Sequence, residues 1–195
     1  MGVSYQSPTF YQLQDSFSQQ LETFFANDSS QFVDPNTLIV LPEYQFRSPG
    51  TLSGSVAFIA GKKGLISGQY SRKDFSNTQF TSNGNAFSEL NTTIENTFTV
   101  SETYRIGGEY RHNNWRFRGG LSKITSPYQD TRIAGDTDGF SLGTGYNWGK
   151  WKFDEAYNRT TTERRETLFE SESFTNFADV RQRNSAVTLT LGVNF

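Results

Sequence analysis

Nine charged side chains sit where alternate residues share a face, and they are the first candidates for chemistry. Arg105, Glu109 and Arg111 share one parity of a segment at 98–112. Arg116 and Arg118 share one parity of the next segment, and Lys152 and Asp154 do so at 151–158. Glu43 and Arg47 fall on the polar parity of a stretch at 37–60. A strand sends successive side chains to opposite faces, so each segment has one charged wall and one apolar wall. Such charges either look onto bulk water or pair inside an enclosed space, because an unpaired buried charge is costly. Catalysis and metal binding find little support. His112 is the single histidine and there is no cysteine, so thiol chemistry and a zinc cluster lack their ligands, and a Ser-His-acid set would have to be built on His112. His112 falls in an Asn-rich turn, and Asp136 and Asp138 alone do not have the spacing of a calcium loop. No catalytic residue, metal or cofactor is expected.

The elements that must position these charges read as strands. Phe98, Val100, Tyr104, Ile106 and Tyr110 lie opposite the charged parity of their segment. Trp115, Phe117 and Leu121 follow after Asn113-Asn114, then Phe140, Leu142, Tyr146 and Trp148, then Trp151, Phe153 and Tyr157. Residues 37–60 keep one phase throughout, which argues for one long strand kinked at Ser48-Pro49-Gly50. Further strands are expected at 2–6, 64–71 and 183–195. The last has Val187, Leu189, Leu191, Val193 and Phe195 on one wall. The total is eight.

The connections alternate in length. Those at 7–36, 76–97, 126–137 and 163–182 are long, whereas 61–64, 112–114 and 149–150 are tight turns. Ser16 and Gln19 fit a capping box, and Phe17, Leu21, Phe24 and Phe25 follow with helical spacing, so a short helix is expected over 16–26. Phe87, Leu90 and Ile94 suggest a second one.

Composition narrows the class. Hydrophobic residues are 34% of the 195, yet aromatics reach 15%, and the mean hydropathy is -0.63. Disordered chains are poor in aromatics. A weakly apolar, aromatic-rich, glycine-bearing chain fits a barrel with polar groups inside and lipid outside. Alternating long loops and tight turns, strands of about 10 residues and aromatics near strand ends fit the same class. A soluble eight-stranded barrel would point its apolar wall inward and would have compact loops. The net charge of -2 shows no nucleic-acid footprint. The first residues lack the basic and apolar regions of a signal peptide. The expected fold is all-β, a transmembrane antiparallel up-and-down β-barrel over 1–195, with short helices in its long outer loops.

Several stretches resemble the C-terminal part of the long-chain fatty acid transporter family of outer-membrane barrels, FadL/TodX, in its Bacteroidetes-type form. They are G-V-S-Y-Q-S-P-T-F-Y-Q-L (2–13), Y-Q-F-R-S-P-G (44–50), G-K-K-G-L-I-S-G-Q-Y-S-R-K-D-F-S (61–76), Y-R-I-G-G-E-Y-R (104–111), W-R-F-R-G-G (115–120), S-P-Y (126–128) and the final strand. The resemblance implies a passive outer-membrane channel for fatty acids or other hydrophobic small molecules. The family has fourteen strands and an N-terminal hatch. This chain has eight and no hatch, so an alternative is a closed eight-stranded barrel with a structural role and no transport. By position, Phe10, Tyr11, Leu13, Phe17, Leu21, Phe24 and Phe25 either line an outer groove for lipophilic ligands or pack the loop onto the rim and outer leaflet. The inward charges either attract a fatty acid carboxylate or form a paired core. Leu189, Leu191, Val193 and Phe195 look like the C-terminal signal read by the barrel assembly machinery. The expected partners are therefore outer-membrane lipid, a hydrophobic small molecule and that machinery.

Overall fold

The structure is a computed structural model and describes residues 1–25, 30–34, 36, 38–169 and 176–193. In chain order the elements are β1 (Gly2–Gln6), β2 (Phe10–Leu13), β3 (Ser16–Ser18), β4 (Leu21–Phe24), β5 (Ser30–Val33), β6 (Leu38–Val40), β7 (Tyr44–Arg47), β8 (Thr51–Ala60) and β9 (Gly64–Asp74). A 3₁₀ turn (Phe75–Asn77), β10 (Gln79–Ser82), α1 (Ser88–Thr97), β11 (Val100–His112), β12 (Trp115–Ile124), β13 (Thr137–Trp148), β14 (Trp151–Phe169) and β15 (Asn176–Val193) complete the chain.

Eight of these strands form one antiparallel sheet in the order β1-β8-β9-β11-β12-β13-β14-β15. It is a meander, with every long connection at one end and every tight turn at the other. The turns match their residues: Asn113 has φ 53 and Gly149 has φ 64, conformations that Asn and Gly tolerate best.

Closure is a correction. The sheet is open, with β1 and β15 as its edges. β1 pairs only with β8, from Gly2 opposite Ser55 to Gln6 opposite Thr51. β15 pairs only with β14. With 5 residues in β1 against 18 in β15, the two edges could match over only a small part of their length.

The segment between β1 and β8 is a second correction. Residues 16–24 contain no helix; they form β3 and β4, which pair with β6 and β5. Together β2–β7 make a long interrupted hairpin, or arm. Its base keeps the register of the sheet: Gln6 faces Thr51 and Phe10 faces Arg47, the same number of residues further along each strand. The break at Ser48-Pro49-Gly50 is bridged by Ser48 N–H donating to the Thr9 carbonyl at 2.9 Å. The constant phase of 37–60 is thus real, but the segment is three strands and not one. Cross-strand pairing decides these residues, because the helical spacing of Phe17, Leu21, Phe24 and Phe25 has no apolar surface to pack on. The expected polar loop at 163–182 is also largely strand, since β14 and β15 run past the rest of the sheet.

The helix expected near Phe87 and Ile94 is present as α1. Ile94 is its buried residue, and Glu89 lies in its first turn, where the helix dipole favours an acid. Asn91 ties it to β10: its Nδ2 donates to the Phe80 carbonyl at 2.8 Å, and its Oδ1 accepts from Phe80 N–H at 2.9 Å.

Candidate functional site

The registers assign every side chain of the main sheet to one of two faces. Tyr110, Phe117 and Thr144 fall on one face, and Glu109, Arg118 and Gly143 on the other. The apolar face is the solvent-exposed one. Leu121 is 64% exposed, Leu142 60% and Leu189 63%, while Ile94, in the loop helix, is the buried hydrophobic residue at 7%. The charged face is the more enclosed one: Glu109 and Asp154 side chains are 13% and 14% exposed. This inverts a water-soluble sheet, whose apolar face would be covered. An apolar belt running from Val3 across the sheet to Val193 far exceeds the few hundred Å² that a soluble monomer leaves bare, so it needs an apolar cover.

On the charged face five residues form one chain of ion pairs near the tight turns. Arg118 is its centre. Its Nε donates to Glu109 Oε2 at 2.6 Å and its Nη1 to Asp154 Oδ1 at 2.9 Å. Arg111 donates to the other Glu109 oxygen. Lys152 Nζ lies 2.8 Å from Asp154 Oδ2. Each carboxylate thus receives two cations and Arg118 bridges three strands, a use its planar fork allows and a lysine would not. Gly145 makes the room: a Cβ there would collide with the Asp154 carboxylate.

Beyond this chain the same face is a trough of about 930 Å³, lined by Ser67, Gln69, Ser122, Ser141, Asn158 and Thr160 among others. Arg105 stands in it, opposite Gln69 and Ser122. Arg116 lies on the same face, opposite Arg111 and Gly145. Among the described residues neither Arg105 nor Arg116 makes an ion pair. Glu43 and Arg47 are a correction to the expected interior set, because both lie off the main sheet. Glu43 accepts from Gln12 Nε2 at 2.5 Å in the arm. Arg47 Nη2 donates to the Asn77 carbonyl at 3.3 Å. The interruption at Pro49 carries the parity past the end of the sheet.

The seven loop side chains are strung along the arm and are not gathered. Phe10, Tyr11 and Leu13 are on β2, Phe17 on β3, Leu21 and Phe24 on β4, and Phe25 just beyond. All are exposed. Tyr11 alone joins a cluster, with its ring 5.7 Å from that of Phe46. Phe46 meets Phe80 at 5.0 Å and Phe80 meets Phe87 at 5.7 Å. Tyr44 reaches Phe87 at 5.3 Å and donates to Asp15 Oδ2 at 3.0 Å. This aromatic cluster joins the base of the arm to α1, and sequence reasoning missed it. Its members come from three distant segments, and only the even spacing of Tyr44 and Phe46 hinted at a shared face.

A second missed group lies on the apolar face towards the long connections. The Tyr70 and Tyr104 hydroxyls donate to Glu102 Oε1 and Oε2 at 2.6 and 2.8 Å. Two phenols clamp one carboxylate where the belt ends, with their rings in apolar surroundings and their polar tips turned outward. Leu189, Leu191 and Val193 lie on the belt face of β15, and Phe195 lies outside the described residues. His112 pairs with Trp115 across the Asn113-Asn114 turn between β11 and β12.

The class these features define is an all-β antiparallel meander sheet with one exposed apolar face and one charged, more enclosed face. No family model matches the chain, and no curated protein is similar to it. Solved structures do match. The crystal structure of a Pseudomonas aeruginosa FadL homologue aligns with TM-score 0.55 and 16% identity, over 97% of this chain and 47% of that one. The CymD monoaromatic hydrocarbon channel aligns with TM-score 0.54 and 15% identity, over 99% of this chain and 46% of that one. The likeness at this identity is one of fold, and the chain spans under half the length of either structure. It is a likeness to the same kind of protein that the sequence stretches resemble.

Proposed function

We propose that the chain is a portion of an outer-membrane barrel through which long-chain fatty acids or other hydrophobic compounds diffuse passively, without catalysis. The observation that carries this is the inverted sheet: an uncovered apolar belt backed by a charged, partly enclosed face. A bilayer is the cover that suits such a belt, and the belt's height agrees. From Phe140 to Trp148 one face runs for nine residues, about 27 Å along the strand. The fold it shares with a solved FadL homologue and with a monoaromatic hydrocarbon channel supports the transport reading. In this reading the long connections face outward and the tight turns face the periplasm.

The site residues take roles within that frame. The ion-pair chain around Arg118 is a paired core that narrows the trough at its periplasmic end. Arg105 and Arg116 are the cations left to meet a carboxylate. The arm aromatics Phe10, Tyr11, Leu13, Phe17, Leu21, Phe24 and Phe25 present an apolar surface to a lipophilic ligand or to the outer leaflet. The belt face of β15 serves as the assembly signal, and its unpaired edge supports that use, since an open strand edge recruits another strand.

The open sheet favours a second reading, in which these eight strands insert but transport nothing. One experiment separates them. The full chain is reconstituted into vesicles and uptake of oleate is compared with that of empty vesicles. Uptake above the empty control supports transport. A heat-modifiable, protease-resistant band with no uptake leaves the membrane sheet standing and removes transport for this chain.

A further inference from the structure

On the belt face of the main sheet the apolar pattern stops abruptly towards the long connections between β12 and β15. Leu121 faces Phe140, and Phe140 faces Arg159. One step further Lys123 faces Asp138, Asp138 faces Thr161, and Thr161 faces Arg183. The next step pairs Glu163 with Arg181. These residues line an open groove of about 510 Å³, with Leu121 and Phe140 at its apolar end and Arg159, Arg181 and Arg183 at its cationic end. Among the described residues Glu163 holds Arg181, while Asp138 makes no ion pair and lies directly opposite Lys123, whose amine pairs with Asp136 at 3.0 Å. With Arg159, Arg181 and Arg183 against Glu163 and Asp138, the groove keeps an excess of positive charge. Among the described residues Arg159 and Arg183 make no ion pair.

We propose that this groove binds the phosphate-bearing headgroup of a glycolipid in the leaflet on the long-connection side. Arg159 and Arg183 take the phosphate, and Leu121 and Phe140 lie against the first carbons of an acyl chain. The proposal rests on the membrane reading above and adds to it a lipid class and two binding residues. The amphipathic order of the groove is what selects this occupant. A guanidinium pair suits a phosphate's oxygens, and its place is the border of the belt, where a headgroup sits directly over hydrocarbon. A soluble phosphate compound would gain nothing from Leu121 and Phe140. A fully apolar ligand would leave both arginines without partners.

The full chain is folded into phosphatidylcholine vesicles, into the same vesicles with lipid A, and into vesicles with dephosphorylated lipid A. Urea midpoints and lipid A affinity are then compared for the native chain and for the Arg159→Gln/Arg183→Gln variant. Lipid A should raise the midpoint of the native chain and the dephosphorylated lipid should not. The variant should keep its midpoint in pure phosphatidylcholine and bind lipid A about thirtyfold more weakly, as expected from losing two cations each worth about 1 kcal/mol near a charged lipid surface. An equal rise with the dephosphorylated lipid, or a variant that binds lipid A as tightly as the native chain, overturns the proposal. A native chain that folds in phosphatidylcholine yet gains nothing from lipid A overturns the proposal alone. A chain that enters none of the vesicles overturns the membrane reading with it.

Discussion

The two faces of the main sheet are built from the same strands and differ only in parity, yet they obey opposite rules. The belt face bears Leu, Ile, Val, Phe, Tyr and Trp and leaves them exposed, with Glu155 as the break in its pattern, between Thr144 and Leu189. The opposite face bears Ser, Thr, Gln, Asn, Gly and paired charges and partly encloses them. In water, burial of apolar area would drive the reverse arrangement. On the membrane reading proposed above, the exposed face is the one that an apolar medium covers. The difference also explains why the charges are paired with such economy, since on an enclosed face each carboxylate must find cations within the sheet.

The sharpest way to break this comparison is to place the same charge on each face. Leu142→Arg puts a guanidinium in the middle of the belt and should cost about 2–4 kcal/mol in lipid vesicles. Ser141→Arg, its immediate neighbour, points into the trough and should cost well under half as much. Urea titrations of both variants in the same vesicles decide it, and equal losses would mean that the faces are wrongly assigned.

The next effect is on the ionic chain. Asp154→Ala removes the carboxylate shared by Arg118 and Lys152 and should cost about 1 kcal/mol, held down by the partial exposure of both cations. Glu109→Ala should cost a similar amount. The double variant should depart from additivity, because Arg118 bridges the two acids. A double-mutant cycle that closes at zero would show that Arg118 does not couple them.

Gly145→Ala tests the same site more gently. The added methyl pushes on the Asp154 carboxylate and should cost about 0.5 kcal/mol in the native chain. In the Asp154→Ala background the obstacle is gone and the change should become mildly stabilising, since alanine restricts the unfolded chain. The sign in the two backgrounds is the readout.

The smallest effect is expected outside the sheet, in the connection before β13. Arg132 donates to Asp130 through its side chain and its backbone N–H, and these bonds hold the Asp130 carboxyl at about 2. A carboxylate whose folded value lies below its unfolded one stabilises the ordered form above the unfolded value. That contribution fades as pH falls from about 4 to about 2. Limited proteolysis of residues 125–136 should therefore speed up across that window. Asp130→Asn should weaken the pH dependence, leaving the part that belongs to Asp136, whose carboxyl is also held low by the Ser126 N–H and Lys123. Because the pair is fully exposed, the unfolding midpoint of the sheet should not move.

Much of the sheet was legible from alternation alone. In β11–β13 every side chain assigned to a face by parity lies on that face, because the period of a strand leaves no other choice. The helix near Ile94 was legible for the analogous reason. The arm was not. Phe17, Leu21, Phe24 and Phe25 satisfy a helical pattern, and only their partners Ile39, Val33 and Ser30 across the hairpin turn them into strands. Glu43 and Arg47 carried the right parity but stand beyond the end of the sheet. Parity says which side a residue takes and not how far along the strand the sheet extends. The Tyr44–Phe87 cluster and the Glu102 clamp were illegible for a further reason, since each joins segments that only folding brings together.

By itself the sequence determined the number of strands in the main sheet, their two-faced character, the ends that carry tight turns and the location of the charged wall. These follow from backbone geometry and residue type acting over a few neighbours. Only the tertiary structure decided that Arg118 links Glu109 to Asp154, that the arm continues the register of β1 and β8, and that the first and last strands stay apart. Those outcomes depend on curvature and cross-strand register, which are properties of the whole sheet and of no single segment.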